Sequence, residues 1–212
     1  MAMTQLNHWI DAVREADSPE ELIRSTSQLA SSGHPDAAPC LMEVLSYNNP
    51  VAAALAVDGL VRIGTPAVDL ILKGMDPRNY GARAWAMQVL ARLHDVRGLA
   101  LLERALSNDI GPSVRRGAAR GLGELVLDQD PTARALQLER CLQALIRAAC
   151  DEEWIVRYAV VFALEQRAKQ LNKGSGEFER VSTALQQRAD PGESVDVVRR
   201  RARLALQRLQ AA

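Results

Sequence analysis

Asn48-Asn49-Pro50-Val51-Ala52-Ala53-Ala54-Leu55-Ala56-Val57-Asp58-Gly59-Leu60 is followed by Tyr80-Gly81-Ala82-Arg83-Ala84-Trp85-Ala86-Met87-Gln88-Val89-Leu90, and then by Pro112-Ser113-Val114-Arg115-Arg116-Gly117-Ala118-Ala119-Arg120-Gly121-Leu122. The three stretches are copies of one pattern. Trp154-Ile155-Val156-Arg157 and Asp196-Val197-Val198-Arg199 enter the same register. With the register set on Ala53, Arg83, Arg115, Arg157 and Arg199, the copies stand 30 to 42 residues apart. Three positions on lie Ala56, Ala86, Ala118, Val160 and Ala202; seven positions on lie Leu60, Leu90, Leu122, Leu164 and Leu206. Offsets of zero, three and seven share one helical face, so the two columns of small residues and leucine form a packing seam. A helical pattern repeating at this period defines a stacked α-solenoid, in which an exposed surface of the array is left for binding. The expectation is an all-α fold of about five two-helix repeats. It is read as a single domain over 1–212, with an N-terminal helical cap at 1–46 and repeats at 47–212.

Local signals place the remaining helices. Trp9, Ile10 and Val13 give a first helix from Leu6 to Ala16. Ser18-Pro19-Glu20-Glu21 is a helix start: serine caps, proline takes the first turn, and two carboxylates meet the positive dipole end. Ser32-Gly33-His34-Pro35 ends that helix, and Ala37 to Ser46 follows. Partner helices are expected at Pro66–Gly74, Val96–Leu106, Arg134–Cys150 and Phe178–Ala189. Asp128-Gln129-Asp130-Pro131 widens the interval between the third and fourth copies, and Lys173-Gly174-Ser175-Gly176 is a flexible turn.

The 212 residues suffice for a continuous core, and the balance of 26 basic and 26 acidic residues gives no whole-molecule attraction to nucleic acid or an anionic membrane. Of the basic residues only Lys73, Lys169 and Lys173 are lysine. Arginine is the residue for planar, bidentate carboxylate recognition. Cys40, Cys141 and Cys150 are odd in number and form no C-x-x-C pair, which fits a reducing compartment and packing roles rather than disulfides or zinc. No run of eighteen apolar residues and no apolar signal core occurs, so the expectation is a soluble protein without membrane insertion.

Enzymatic signatures are scarce: there is no phosphate-binding glycine loop, no H-E-x-x-H and no G-x-S-x-G. The register supplies a better handle. Offsets +1 and +5 read Ala54/Asp58, Ala84/Gln88, Arg116/Arg120, Tyr158/Phe162 and Arg200/Leu204, a stripe beside the seam. Arg116 and Arg120 present two guanidinium groups that suit a ligand with two carboxylates. The alternative is an ion-pair ladder with Asp109 or Asp151. Arg83, Arg115 and Arg157 recur at one register position and read as a structural arginine ladder bridging repeats. Tyr80, Trp85, Trp154 and Tyr158 lie near the starts of repeat helices and either line a pocket for a flat conjugated ligand or wedge between repeats.

These residues resemble a known family. Tyr47-Asn48-Asn49-Pro50, Ala56-Val57-Asp58-Gly59-Leu60, Asn79-Tyr80-Gly81-Ala82-Arg83-Ala84-Trp85-Ala86, Ser113 to Gly123 and Glu153-Trp154-Ile155-Val156-Arg157-Tyr158-Ala159 resemble the E/F-type phycobilin lyases, a HEAT-repeat family, and most of all their smaller F-type subunit. The match runs in order from about Leu41 to Leu164. It implies a role in cyanobacterial phycobilisome assembly, in the cytoplasm. The implied activity is that of a bilin lyase, with phycocyanobilin as substrate, no tightly bound cofactor and no metal. An E-type lyase subunit and the apo-phycocyanin α subunit are the implied partners. The product is a thioether between the bilin and a cysteine of that acceptor, so no nucleophile is needed here. Under the resemblance, Arg116 and Arg120 become partners for the bilin propionates. Asp58 becomes an acceptor for pyrrole N–H groups, and Tyr80, Trp85, Trp154 and Tyr158 become walls of the chromophore. Isomerising relatives carry an adjacent histidine-cysteine pair; none exists here, which implies ligation alone. Two alternatives remain: a chaperone-like subunit of a phycoerythrin bilin lyase, and a non-catalytic HEAT interaction scaffold. A HEAT-like DNA glycosylase is disfavoured by the zero net charge.

Overall fold

The computed structural model describes residues 3–211. Among these there are twelve α-helices and no strand, and the chain divides into two compact units, Met1–Leu93 and His94–Ala212. The repeat spacing carries no signal of that division.

The first unit comprises α1 (Met3–Arg14), α2 (Pro19–Ser31), α3 (Ala38–Val44), α4 (Pro50–Ile63), α5 (Thr65–Lys73) and α6 (Tyr80–Leu93). Side-chain caps set several starts. Ser18 Oγ accepts from the Glu21 N–H at 3.2 Å, and Asn49 Oδ1 accepts from Val51 and Ala52 N–H at 3.1 and 3.0 Å. Asn79 Oδ1 accepts from Ala82 N–H at 2.9 Å. Pro19 and Pro50 occupy the first turn, where a missing N–H costs nothing. Helix α4 sits at the centre, packed by α2, α3 and α6. Gly59 makes this possible: a Cβ there would lie 2.7 Å from Ala30 Cβ and 2.8 Å from Ala30 Cα.

The second unit comprises α7 (Leu99–Asn108), α8 (Pro112–Glu124), α9 (Pro131–Ala148), α10 (Trp154–Ala168), α11 (Gly176–Ala189) and α12 (Asp196–Ala211). It has two layers. Helices α8, α10 and α12 pack side by side in one, and α7, α9 and α11 follow one another in the other. Each first-layer helix packs mainly on the second-layer helix that precedes it, α7 with α8, α9 with α10 and α11 with α12. The repeat pattern instead predicts that each partner helix pairs with the copy before it. The reason lies in the connections: α7 and α8 are joined by a tight turn in which Asp109 Oδ1 accepts from Gly111 N–H at 2.8 Å, whereas a longer segment separates α8 from α9.

The seam follows the columns read from the sequence. Ala56, Ala86, Ala118, Val160 and Ala202 are fully buried, as are Leu60, Leu122 and Leu164, with Leu90 almost so. Leu206, in α12, is only half-buried. The closest approach is between α8 and α10, where a Cβ on Gly123 would meet Ala163 Cα at 2.6 Å. No single helix among the described residues is long and apolar enough to cross a membrane. Helices α4 and α5 pass on composition together but are bent by 117° at their junction.

Candidate functional site

The register arginines form a ladder within the second unit. Arg115 gives Nε and Nη2 to the two carboxylate oxygens of Asp151 at 2.8 and 2.9 Å. Arg157 does the same to Glu193, with both contacts at 2.7 Å. Each also turns Nη1 back to the carbonyl six residues earlier: Arg115 to Asp109, Arg157 to Asp151, Arg199 to Glu193. Asp151 and Glu193 thus accept one arginine through the side chain and the next through the backbone. Arg83, in the first unit, repeats the backbone half of the motif with Pro77. Hydrogen bonds donated to Asp151 and Glu193 raise Arg115 and Arg157 above the ordinary guanidinium value, against the burial that opposes them.

The remaining site candidates separate by unit. In the first, Asp58 projects from α4 and is held by Arg92 Nη1 at 2.5 Å, both side chains being largely exposed. Its acceptor oxygens are therefore not idle. Tyr80 opens α6 and is exposed; Trp85 is half-buried one turn later. A groove of 760 Å³ between α1, α2 and α4 is lined by Trp9, Ile23, Ser27, Val51 and Leu55, with the buried Trp9 Nε1 lacking an acceptor. None of the sequence-predicted site residues lines it.

In the second unit, Arg116 and Arg120 stand one turn apart on α8, both exposed. Asp151 is held by Arg115 and not by either of them. Arg120 instead lies over the Phe162 ring of α10, 4.7 Å from its centroid. Trp154, the first residue of α10, is 46% exposed, and Tyr158 is half-buried one turn on. Arg116, Arg120, Trp154 and Tyr158 thus belong to two adjacent helices of one layer.

Three neighbours escaped the sequence reading. Phe162 stands in the same stripe but was not singled out. Arg201 of α12 lies 5.7 Å from that ring's centroid and donates Nη2 to the fully buried Glu165 at 2.5 Å. Glu165 also faces Lys169 Nζ at 3.1 Å and Arg208 Nη1 at 3.5 Å. Burial works to raise the Glu165 carboxyl, yet hydrogen bonds from Arg201 and Lys169 and their charges outweigh it and hold it below the ordinary range. A signal for this pair did exist. Arg201 and Glu165 are 36 residues apart, the separation of Arg115–Asp151 and Arg157–Glu193.

Nucleophilic chemistry is poorly supported. Burial raises the Cys40 thiol to about 11 and raises Cys141 as well, although Arg167 nearby counteracts the latter. Cys150 is exposed. Among the described residues no group of three or more His, Cys, Asp or Glu could hold a metal ion.

The fold defines a helical-repeat protein of the HEAT class. The HEAT repeats family model matches residues 6–91. The bilin biosynthesis protein RpcF of Synechococcus sp. (strain WH8020) is 47% identical over 194 residues, covering 92% of this chain and 91% of that protein. The phycocyanin alpha phycocyanobilin lyase CpcF of Synechocystis sp. is 44% identical over 167 residues, 78% of each. In the solved complex of CpcE and CpcF of phycocyanin lyase from Nostoc sp. PCC7120, one chain superposes with a TM-score of 0.73 at 35% identity, covering 82% of this chain and 99% of that one. The chain belongs to the F-type phycobilin lyase family.

Proposed function

We propose that this protein is the F-type subunit of a heterodimeric phycobilin lyase. With an E-type partner it attaches phycocyanobilin through a thioether to a cysteine of the phycocyanin α subunit, in the cyanobacterial cytoplasm. The observation that carries this reading is the similarity to RpcF over nine-tenths of both chains, together with the fit to a chain of the CpcE–CpcF complex. The local chemistry is consistent with it. The reaction needs the bilin held and oriented so that one carbon meets the acceptor thiol; it does not need a nucleophile here. The acceptor's sulfur adds to the ring-A side chain and its proton is transferred to the bilin, so no oxidant or reductant enters.

In this reading Arg116 and Arg120 meet the two propionates, and Trp154 and Tyr158 flank the conjugated system. Tyr80 and Trp85 are separate aromatic candidates within the first unit. Asp58, also in the first unit, already shares its carboxylate with Arg92, which makes it a weaker candidate acceptor for pyrrole N–H groups. Phycocyanobilin is a substrate in this scheme and no cofactor is resident. The absence of an adjacent histidine-cysteine pair in the sequence supports ligation without isomerisation.

The test is co-expression with an E-type subunit, apo-phycocyanin α subunit and a phycocyanobilin supply, scored by covalent pigment on the α subunit. Pigment with normal absorbance and strong red fluorescence only when both lyase subunits are present is the expected result. An intact complex and acceptor that yield no adduct would sink the reading and leave the phycoerythrin chaperone or the non-catalytic scaffold. Within a folded, partner-bound complex, Arg116→Gln with Arg120→Gln is expected to lower transfer.

A further inference from the structure

Most arginines of the second unit are consumed by the fold. Arg115, Arg140, Arg157, Arg180 and Arg188 each hold a carboxylate, and Arg167 and Arg203 each hold a backbone carbonyl. Arg116 and Arg120 lie outside that rule, as do Arg104 on α7 and Arg134 and Arg147 on α9, but Arg116 and Arg120 stand one turn apart on α8. Among the described residues neither the Arg116 nor the Arg120 side chain makes an ion pair or hydrogen bond, and Arg120 lies over the Phe162 ring. The carboxylate that Arg201 holds, Glu165, is fully buried and also faces Lys169 and Arg208. Two guanidinium groups thus stand over the Phe162 ring, and of these Arg201 has a carboxylate partner, Glu165, in a protein whose formal net charge is zero.

The type of contact matters. A carboxylate partner would occupy the planar fork of Arg120 with two hydrogen bonds. A ring face attracts the cation through its quadrupole and leaves every N–H donor unspent. The same ring is approached from α12 by Arg201, whose Nη1 is buried without a partner and whose Nη2 is tied to Glu165. Phe162 is thus fixed between two elements, and it fixes Arg120 in turn. One turn back on α8 stands Arg116, so two unspent guanidinium groups share one helical face.

We propose that Phe162, clamped by Arg201, is a positioning residue that holds Arg120 ready beside Arg116, and that this arrangement selects the bilin by its two free carboxylates. The proposal rests on the lyase reading and adds the basis of selection: the free dicarboxylic tetrapyrrole is accepted and its carboxylate esters are discriminated against. Phe162 acts through Arg120 and does not itself contact the carboxylates.

The test is an absorbance titration of the E/F complex with phycocyanobilin and, separately, with its dimethyl ester. The wild-type complex is expected to bind the free acid tighter by about tenfold or more, the scale of losing charge-assisted hydrogen bonds. Arg116→Gln with Arg120→Gln is expected to bring the two affinities together by weakening the free acid alone. Phe162→Leu is expected to narrow the preference with ester binding unchanged, and Phe162→Tyr, which restores the ring, to keep it. A structural defect would instead lower both affinities in parallel. Equal affinities in the wild type, or a parallel loss in Phe162→Leu, overturns the proposal while leaving a transfer-competent lyase intact. A complex that binds neither molecule overturns the lyase reading and this inference together.

Discussion

Arg157 and Glu193, 36 residues apart in sequence, meet fork to fork: Nε and Nη2 each stand 2.7 Å from a carboxylate oxygen. The Glu193 side chain is 1% exposed and also accepts from Val195 N–H at 3.0 Å and Arg188 Nη1 at 3.3 Å. Removing one partner of a buried pair strands the other charge, which costs about 3–5 kcal/mol. Glu193→Gln is expected to lower unfolding stability by an amount of that order, read from the urea midpoint. A loss no larger than that of an exposed pair such as Arg92–Asp58 would show that the ladder contributes little.

The same residue sets a pH dependence. Hydrogen bonds from Arg157 hold the Glu193 carboxyl below its ordinary range, with Val195 N–H and the charges of Arg157 and Arg188 adding to the effect and burial opposing it. A group whose folded value is depressed gives stability that is fully present above its unfolded value, about 4.3 for glutamate. That stability is lost as pH falls through the lower folded value. The gap between wild type and Glu193→Gln is therefore expected to be widest near neutrality and to close below the ordinary carboxylate range. A gap that stays constant down through that range would mean that Glu193 is not ionised in the native protein.

Gly123 decides how closely α8 and α10 approach. A Cβ there would fall 2.6 Å from Ala163 Cα and 2.7 Å from Ala163 Cβ, atoms that cannot swing away. The two helices must separate, at a cost of about 1–3 kcal/mol for overpacking a tight interface. Gly123→Ala is expected to lower the melting temperature, whereas Gly176→Ala, with open space around it, is expected to leave it unchanged or raise it. Equal behaviour of the two variants would remove the close approach as an explanation.

The fold was legible because its determinants are local and periodic. Ser18, Asn49 and Asn79 cap where a short polar side chain precedes an apolar run, and the +3 and +7 columns bury as a 3.6-residue period requires. The phase of helix pairing was not legible, since both layers are amphipathic and pattern alone does not say which neighbour a helix meets. The ladder partners of Arg115 and Arg157 lie in turns one repeat away, at a separation the alignment of arginines does not specify. For the candidate site, the stripe containing Arg116, Arg120 and Phe162 was visible. The clamp by Arg201 depends on a neighbouring helix's rotation, which a register column does not encode.

His94 occupies the position that Gly64 holds in the preceding repeat, and both adopt positive φ, 55° and 80°. A side chain in the left-handed region costs roughly 1–2 kcal/mol, and the buried His94 Nδ1 has no hydrogen-bond partner. What the backbone secures there is the His94 carbonyl, which accepts from Val126 N–H at 2.9 Å. His94→Gly is expected to preserve that contact and to match or exceed wild-type stability despite glycine's unfolded-state entropy. His94→Val, β-branched at the same φ, is expected to be less stable than either. A stability order with valine highest would contradict the strain account.

Thiol reactivity separates a protein that supplies the sulfur from one that only presents the bilin. Burial pushes Cys40 up to about 11 and raises Cys141, so at neutral pH neither holds an appreciable thiolate population. Cys150 differs in being exposed at the end of α9. A maleimide added to the native protein at neutral pH is expected to label Cys150 quickly and the other two only after unfolding, when all three react. Cys40→Ser and Cys141→Ser are then expected to affect bilin transfer only through stability, because the thioether sulfur belongs to the acceptor. Rapid native labelling of Cys40, or a transfer defect in a stable Cys40→Ser complex, would assign this chain a covalent role that its geometry does not favour.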